Sequence, residues 1–200
     1  AELALRQMNV PFEVIRTDSK PHSSRPIIRS TGASNALAGE DAAIAHLGAA
    51  DLVIDLSVEG LMHARQTPQI LAAGTRIMTI SNEHPDILAR LSPDPVMREV
   101  VTDAIKKCRA ASNMHVTSAV GTDLRVNMTN TVTVGVWGWT DRAGTLAHWP
   151  GGLVVSFPNA ASTNGQLVFK PGDINLTFKR YYESEVICHI ENDFITRIEG

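Results

Sequence analysis

The chain has 200 residues, of which 44% are apolar and 20% are charged, a composition that argues against intrinsic disorder and allows one or two domains with real cores. The formal net charge of -3 argues against a nucleic-acid or anionic-lipid partner. Cys108 and Cys188 lack the spacing of a zinc site, so we expect both to be small buried groups. Without a bilayer-long apolar stretch or a secretion signal, the expected location is cytoplasmic, with no membrane partner.

The first 112 residues predict a doubly wound α/β domain. Residues 1–8 have helical composition, and a short strand is expected over 10–15. Helices over 42–49 and 64–73 then alternate with apolar, β-branched strands over 51–55 and 75–80, which is typical of a mostly parallel sheet wound with helices. Because a chain of this kind normally begins with a strand, the opening helix indicates a fragment whose first strand is missing.

Two further segments complete this half. The loop over 17–35 is expected either to border a site or to be a solvated surface loop. A short helical piece over 82–92, capped by Ser81 or Asn82, precedes a longer helix that opens after Pro93 and Pro95. The basic residues of the loop are Lys20, His22, Arg25 and Arg29. The longer helix has an apolar stripe that predicts core packing rather than a cofactor site, and its members are Val96, Val100, Val101, Ala104, Ile105 and Cys108.

Residues 113–200 predict a β-rich, mainly antiparallel domain that is incomplete at its C-terminal end. Short extended stretches follow one another with little helical pattern between them, and turns are expected at 163–165 and 171–173. The predicted strands cover 114–118, 123–128, 131–136, 153–157, 166–169, 174–178, 185–190 and 194–198.

Polar residues follow the predicted strand 51–55, where a doubly wound sheet places its ligands. Ser57, Glu59 and His63 come after Asp55, and Glu59 and His63 would share one face if this segment were helical. A carboxylate beside an imidazole suits proton transfer, while the alternative is an ordinary surface pair.

All three tryptophans lie in one segment, residues 137–152, which we expect to be a loop. Trp137, Trp139 and Trp149 occur there with four glycines and His148. Tryptophan supplies an apolar wall and glycine lets backbone approach closely, so the segment predicts a pocket for a flat ring with an imidazole beside it. The alternative is a hydrophobic plug at the end of the β domain.

Common catalytic signatures are missing from the chain. It has no dinucleotide-binding or phosphate-binding glycine loop, no zinc-protease helix and no serine-nucleophile elbow. None of the seven histidines pairs with another at metal-ligand spacing, so these residues alone predict no metal site. His115 and His189 fall on predicted strands, where a structural role is expected.

The order of many short segments resembles the aminopeptidase T-like superfamily and, within it, the 2,5-dihydroxypyridine 5,6-dioxygenase branch of nicotinate degradation. No one segment is a strict signature, and the resemblance covers nearly the whole chain. The segments that carry it are 50–55, 70–71, 74–77, 121–124, 148–152, 157–159, 172–174 and 194–196.

The resemblance implies a non-heme Fe(II) dioxygenase that opens a hydroxylated pyridine ring with O₂. It implies that the iron ligands, two histidines and an aspartate, lie beyond Gly200, and that His63 and His148 bind ring hydroxyls and move protons. Trp137, Trp149 and Glu59 are the expected substrate-binding residues. The expected partners are a small aromatic substrate and O₂, with a homo-oligomer compatible with the sequence.

Two departures from the family pattern keep alternatives open. Leu153 follows the Gly-Gly pair where the peptidase branch has a metal-binding glutamate, which weighs against a metal-dependent aminopeptidase. Gly135 and Val136 stand where the dioxygenase has an acidic residue, which leaves the exact ring open. The alternatives to a dioxygenase are an aminopeptidase and a non-catalytic small-molecule binding module.

Overall fold

A computed structural model describes residues 1–17, 34–80, 84–175, 178 and 180–200. These residues divide into two compact units, the first with 1–17, 34–80 and 140–146 and the second with the remainder. In chain order the elements are α1 (Glu2–Gln7), α2 (Asp41–Ala49), β1 (Leu52–Asp55), α3 (Thr67–Ala72), β2 (Arg76–Thr79), α4 (Pro85–Arg90), α5 (Met97–Ala110), β3 (Asn113–Thr117), β4 (Asp123–Asn127), β5 (Val132–Val136), β6 (Leu146–His148), β7 (Leu153–Phe157), β8 (Thr163–Phe169), β9 (Ile174–Asn175), β10 (Arg180–Tyr181), β11 (Val186–Glu191) and β12 (Phe194–Glu199).

The first unit is an α/β fold around a parallel strand pair, as predicted. Strands β1 and β2 run parallel, with Asp55 opposite Thr79, and the Ile77 N–H of β2 donates to the Thr145 carbonyl. Gly74 ends α3 in a left-handed conformation with φ of +100°, and its N–H donates to the Leu71 carbonyl, as expected of a glycine that stops a helix. Helices and strands bury a common apolar core formed by Ala36, Leu37, Ile44, Val53, Leu61, Ile70 and Ile77.

Two elements of this unit differ from the sequence-based prediction. The strand predicted over 10–15 is wrong, because no residue there pairs with another strand within the described ranges. An apolar run becomes a strand only where a neighbour accepts and donates its backbone hydrogen bonds. The helix predicted over 64–73 is shorter, since α3 starts at Thr67 with Pro68 in its first turn, and Ala64 instead bridges to Ser34. The loop residues Lys20, His22, Arg25 and Arg29 and the proposed caps Ser81 and Asn82 lie outside the described residues.

The second unit contains antiparallel sheets, which confirms the β-rich prediction. Its largest sheet has five strands in the order β12-β11-β8-β4-β3, and all four pairs of neighbouring strands are antiparallel. Cys188 and Val126 point to the same buried layer, with exposed fractions of 6% and 7%. Of the two cysteines only Cys188 is fully buried, while Cys108 is half-buried, and both are free thiols.

Helix α5 packs on the antiparallel pair β5-β7 within this unit. A Cβ on Gly135 of β5 would lie 2.6 Å from Val101 and 2.9 Å from Ile105, so helix and strand approach as closely as glycine allows. The predicted apolar stripe is therefore only partly core, because Val101 is 2% exposed whereas Val96 and Val100 are more than half exposed. Those two valines lie toward the first turn of the helix, outside the contact with β5.

The turn predicted at 163–165 is wrong, because these residues lie inside β8. Gly165 has a φ of +126°, and a Cβ there would lie 2.1 Å from the Asp123 carbonyl oxygen of β4. Asn164-Gly165 resembles a hairpin signal in sequence, but here the glycine permits close approach of a neighbouring strand. The turn predicted at 171–173 is present.

The two compact units are each built from separate chain segments. Residues 84–112, including α5, belong to the second unit, and residues 140–146 belong to the first. The division into domains at residue 112 stays a prediction. Within the described ranges, none of the helices has the length and apolar character needed to span a bilayer.

Candidate functional site

The loop after β1 is shaped by the buried carboxylate of Asp55. One of its oxygens accepts hydrogen bonds from the Ser57 N–H at 3.0 Å and the Ser57 hydroxyl at 2.6 Å, and the other accepts the Leu61 N–H at 2.6 Å. The Thr67 hydroxyl donates to the Leu61 carbonyl at 2.5 Å. The hydrogen bonds to Asp55 thus hold the residues that follow β1 against the carboxyl end of this strand.

Glu59 and His63 lie on this loop, but the segment is a series of bends and turns rather than a helix. Their spacing of four therefore does not place them on one helical face. The Glu59 carboxylate accepts the Asn35 N–H at 2.7 Å and the Ser34 hydroxyl at 3.4 Å, while the Ser34 N–H donates to the His63 carbonyl. Glu59 and the backbone of His63 together hold the residues at 34–35.

The imidazole of His63 is exposed. Within the described ranges its ring makes no hydrogen bond and no ion pair. A histidine in this state keeps both ring nitrogens available to a ligand, which is compatible with proton transfer and with the plain surface role. The first unit thus presents one available imidazole beside a fixed loop.

The tryptophan segment is not entirely a loop, because residues 146–148 form strand β6. His148 is the last residue of that strand, and its ring is half-buried. Over the part of the chain that the structure describes, this ring has no hydrogen-bonding partner either. A strand fixes the Cα of His148 more firmly than the predicted loop would.

Two glycines bring the two ends of the tryptophan segment into backbone contact. A Cβ on Gly138 would lie 2.2 Å from the Pro150 carbonyl oxygen, and a Cβ on Gly151 would lie 2.2 Å from the Gly138 nitrogen. The Gly152 N–H donates to the Val136 carbonyl at 2.9 Å, and the Trp149–Pro150 peptide bond is cis. The residues next to Trp137 therefore touch those next to Trp149, so the second unit gathers Trp137, His148 and Trp149 into one region.

The tryptophan side chains have specific partners in the second unit. Trp137 and Trp139 meet edge to face with ring centroids 6.4 Å apart, and the guanidinium of Arg98 lies 4.9 Å from the Trp137 ring centroid. The indole N–H of Trp149 donates to the Leu91 carbonyl at 3.2 Å. The indole nitrogen of Trp137 is buried and has no hydrogen-bonding partner within the described ranges.

Arg98 and Leu91 are site residues that the sequence did not reveal. Both lie about 40 or more positions before the tryptophans that they contact, and neither belongs to a recognisable motif. Only the packing of the α4–α5 region near the tryptophan segment shows them. Because Arg98 places a charge over one face of its ring, Trp137 offers a ligand a more polar surface than the tryptophan content of the segment indicates.

The described residues do not fit an iron site. Over these ranges, no three His, Cys, Asp or Glu side chains come together as a metal-binding group. The substrate-binding roles of His63 and His148 stay predictions.

Comparison with known proteins identifies the family. The family model described as NicX: 2,5-dihydroxypyridine 5,6-dioxygenase matches residues 1–200. The chain belongs to this family. The resemblance stated from the sequence segments is thereby confirmed at the level of the dioxygenase branch.

Individual NicX relatives agree with the family match. A 2,5-dihydroxypyridine 5,6-dioxygenase from Pseudomonas putida KT2440 is 38% identical over 165 residues, which are 82% of this chain and 46% of the relative. The solved structure of 2,5-dihydroxypyridine dioxygenase from the same organism has a TM-score of 0.86 and 32% identity, and the match covers 99% of this chain and 57% of that one. The chain therefore spans about half the length of the NicX relatives that it matches.

Proposed function

We propose that this chain forms the substrate-side part of a ring-cleaving dioxygenase that acts on 2,5-dihydroxypyridine or a closely similar hydroxylated ring. The observation that carries the proposal is the NicX family match over the whole chain, supported by the similarity in fold. A flat, electron-rich ring matches the chemistry of a region that holds three tryptophans and a half-buried imidazole.

Each candidate residue has a role in this proposal. His63 and His148 are the residues proposed to bind ring hydroxyls and to transfer protons, because among the described residues neither ring has a hydrogen-bonding partner. Trp137 and Trp149 are proposed as aromatic walls, and Glu59 is proposed to line the substrate site while it fixes the backbone at 34–35. Arg98 would favour an anionic ring by placing a positive charge near the Trp137 face.

The cofactor proposed for the reaction is Fe(II), with O₂ as the second substrate. The described residues supply no ligand set for this iron. Their proposed contribution is to bind the ring, to orient its hydroxyl groups and to move protons.

The test is oxygen consumption by the purified protein of full family length, with added Fe(II) and 2,5-dihydroxypyridine. The expected result is O₂ uptake that stops when a chelator is added and that falls in the His148→Ala variant. No uptake with any hydroxylated pyridine or benzene, together with release of amino-terminal residues from peptides, would favour the aminopeptidase alternative and overturn the proposal.

A further inference from the structure

The second unit contains a cavity on one face of its five-stranded sheet. Its volume is about 680 Å³, and it opens widely to solvent. The cavity is separate in sequence from the tryptophan segment, and none of its residues takes part in the proposed ring cleavage. Its lining residues are Asp123, Arg125, Asn164, Gly165, Gln166, His189, Ile190 and Glu191.

Strand register arranges the polar lining in two rows across the sheet. In the first row Asp123 lies opposite Gln166, and Gln166 lies opposite His189. Residues paired in an antiparallel sheet point to the same face, so these three side chains project together. The row continues to Arg197 on β12, which pairs with His189.

The second row runs through Arg125, which lies opposite Asn164. On the next strand, β11, Ile190 lies opposite Gly165. The residue after it, Glu191, therefore lies beside Asn164 and forms the other end of this row. Neighbouring strands are about 4.8 Å apart, which puts the backbones of Arg125 and Glu191 roughly 10 Å from each other. Their side chains can therefore reach the two ends of a small molecule above Asn164.

Most ionisable groups of the first row are already paired. The His115 ring contacts the Asp123 carboxylate at 2.7 Å, and the Glu199 carboxylate contacts the His189 ring and Arg197, both at 2.8 Å. The Gln166 amide nitrogen donates to the Gly121 carbonyl at 2.7 Å, which leaves its oxygen free to accept. The side chains of this row are therefore held by their partners and form a polar surface at the base of the cavity.

The second row differs in the state of its two charged side chains. Over the described ranges, neither the Arg125 guanidinium nor the Glu191 carboxylate makes a hydrogen bond or an ion pair. Between them the Asn164 oxygen accepts the Asn192 N–H at 3.0 Å, which orients the Asn164 amide nitrogen as a donor. The row thus offers an anion site at one end and a cation site at the other.

We propose that this cavity is a second binding site, for a small zwitterion with adjacent carboxylate and ammonium groups, that is, a free α-amino acid. The ligand carboxylate binds Arg125 and the Asn164 amide, since a guanidinium is the side chain best suited to grip a carboxylate. The ligand ammonium binds Glu191 and the Gln166 oxygen. The proposal does not depend on ring-cleavage activity.

The test is calorimetric titration of the chain, with saturation-transfer NMR to detect weak binding. The probes are L-alanine, L-serine and L-glutamine, compared with propionate, which lacks the ammonium, and with ethylamine, which lacks the carboxylate. The expected result is binding of the amino acids with at least tenfold higher affinity than either half-ligand, because each lost charge-assisted contact weakens binding by about tenfold.

Variants place the ligand in the cavity. Arg125→Gln and Glu191→Gln are each expected to weaken amino-acid binding by about tenfold or more, while Lys107→Gln, which removes an exposed charge on α5, should have no effect. Thermal unfolding of each variant shows that the fold is intact. Equal binding of propionate and L-alanine, no effect of Glu191→Gln, or no binding of any amino acid would overturn the proposal.

Discussion

Gly151 lies directly against Gly138, so that a Cβ on Gly151 would come within 2.2 Å of the Gly138 nitrogen and 2.3 Å of the Trp137 carbonyl carbon. Both glycines have positive φ, of +86° and +103°. The contact joins the two ends of the tryptophan segment through main-chain atoms. A residue with a side chain at either position would leave no room for this contact. The position of the Trp137 ring relative to Trp149 thus depends on having glycine, which lacks a Cβ, at both positions.

Gly151→Ala should therefore destabilise the second unit by about 3 kcal/mol or more, since it combines an unfavourable backbone conformation with a clash against main chain. Urea unfolding measures the loss, and near-ultraviolet circular dichroism should show weaker tryptophan signals. Gly172→Ala is the matched control, because Gly172 has a φ of +96° but no atom within 4 Å of its Cβ position. The control should cost only about 1 kcal/mol, and equal losses would show that the contact is unimportant.

The contact between α5 and β5 gives a second prediction. Gly135→Ala should destabilise the protein by about 1–3 kcal/mol, because the new methyl group overlaps Val101 and Ile105. Val101→Ala removes part of the obstacle, so the double variant should be more stable than the sum of the two single losses predicts. Denaturant unfolding of all four proteins measures the coupling. Simple additivity would contradict this account of the helix contact.

Asp193 predicts a specific dependence of stability on pH. Its carboxylate accepts the Thr163 N–H at 2.7 Å, the main cause of a lowered pKa, and also accepts the N–H groups of Ala161 and Ser162. A pKa that is lower in the folded than in the unfolded state means that the stabilisation is complete above the ordinary value of about 3.9. It is lost as the pH falls through the lower folded pKa.

Asp193→Asn is the variant that tests this, since asparagine also tolerates the φ of +73° at this position. The difference in free energy of unfolding between the original chain and the variant should be constant from pH 7 to about pH 5 and should shrink below about pH 4. Asp51→Asn, at an exposed aspartate, is the control. A difference that stays constant down to pH 2 would show that the Asp193 hydrogen bonds do not depend on its charge.

The two candidate histidines should affect activity more than stability. His63 is exposed and His148 half-buried, and neither ring has a partner within the described ranges, so His63→Ala and His148→Ala should each change stability by less than about 1 kcal/mol. Oxygen uptake with Fe(II) and 2,5-dihydroxypyridine should fall by roughly 100-fold in either variant. His46→Ala, at an exposed histidine of α2, should keep full activity. Unfolding of the His148→Ala protein would favour the plug interpretation of the tryptophan segment.

Local patterns predicted the order of elements well and their tertiary neighbours poorly. The β-branched runs at Val53 and Ile77 and the glycine stop at Gly74 appear in the structure where the sequence placed them, because burial and backbone freedom act over a few residues. Asn164-Gly165 was misread as a turn because a hairpin and a close strand approach use the same residues. The neighbouring strand that decides between them lies some 40 positions away.

The same limit applies to the candidate site. The tryptophan cluster stands out in composition, and so does the polar loop after β1. The pairing of Arg98 with Trp137 and the hydrogen bond from Trp149 to Leu91 depend on how helices approach strands, which leaves no local trace. Likewise, the spacing of Glu59 and His63 would place them on one face only if the segment were helical, whereas the Asp55 hydrogen bonds fold that segment into turns.

The interleaving of the two compact units limits how this protein can be dissected. A gene cut after residue 112 would separate α5 from β5, and it would strip residues 140–146 from the piece that carries β1 and β2. Each product would lack part of the core contacts of its compact unit. Both should therefore be poor candidates for separate expression or domain exchange. We therefore expect that engineering of this protein has to treat both units together.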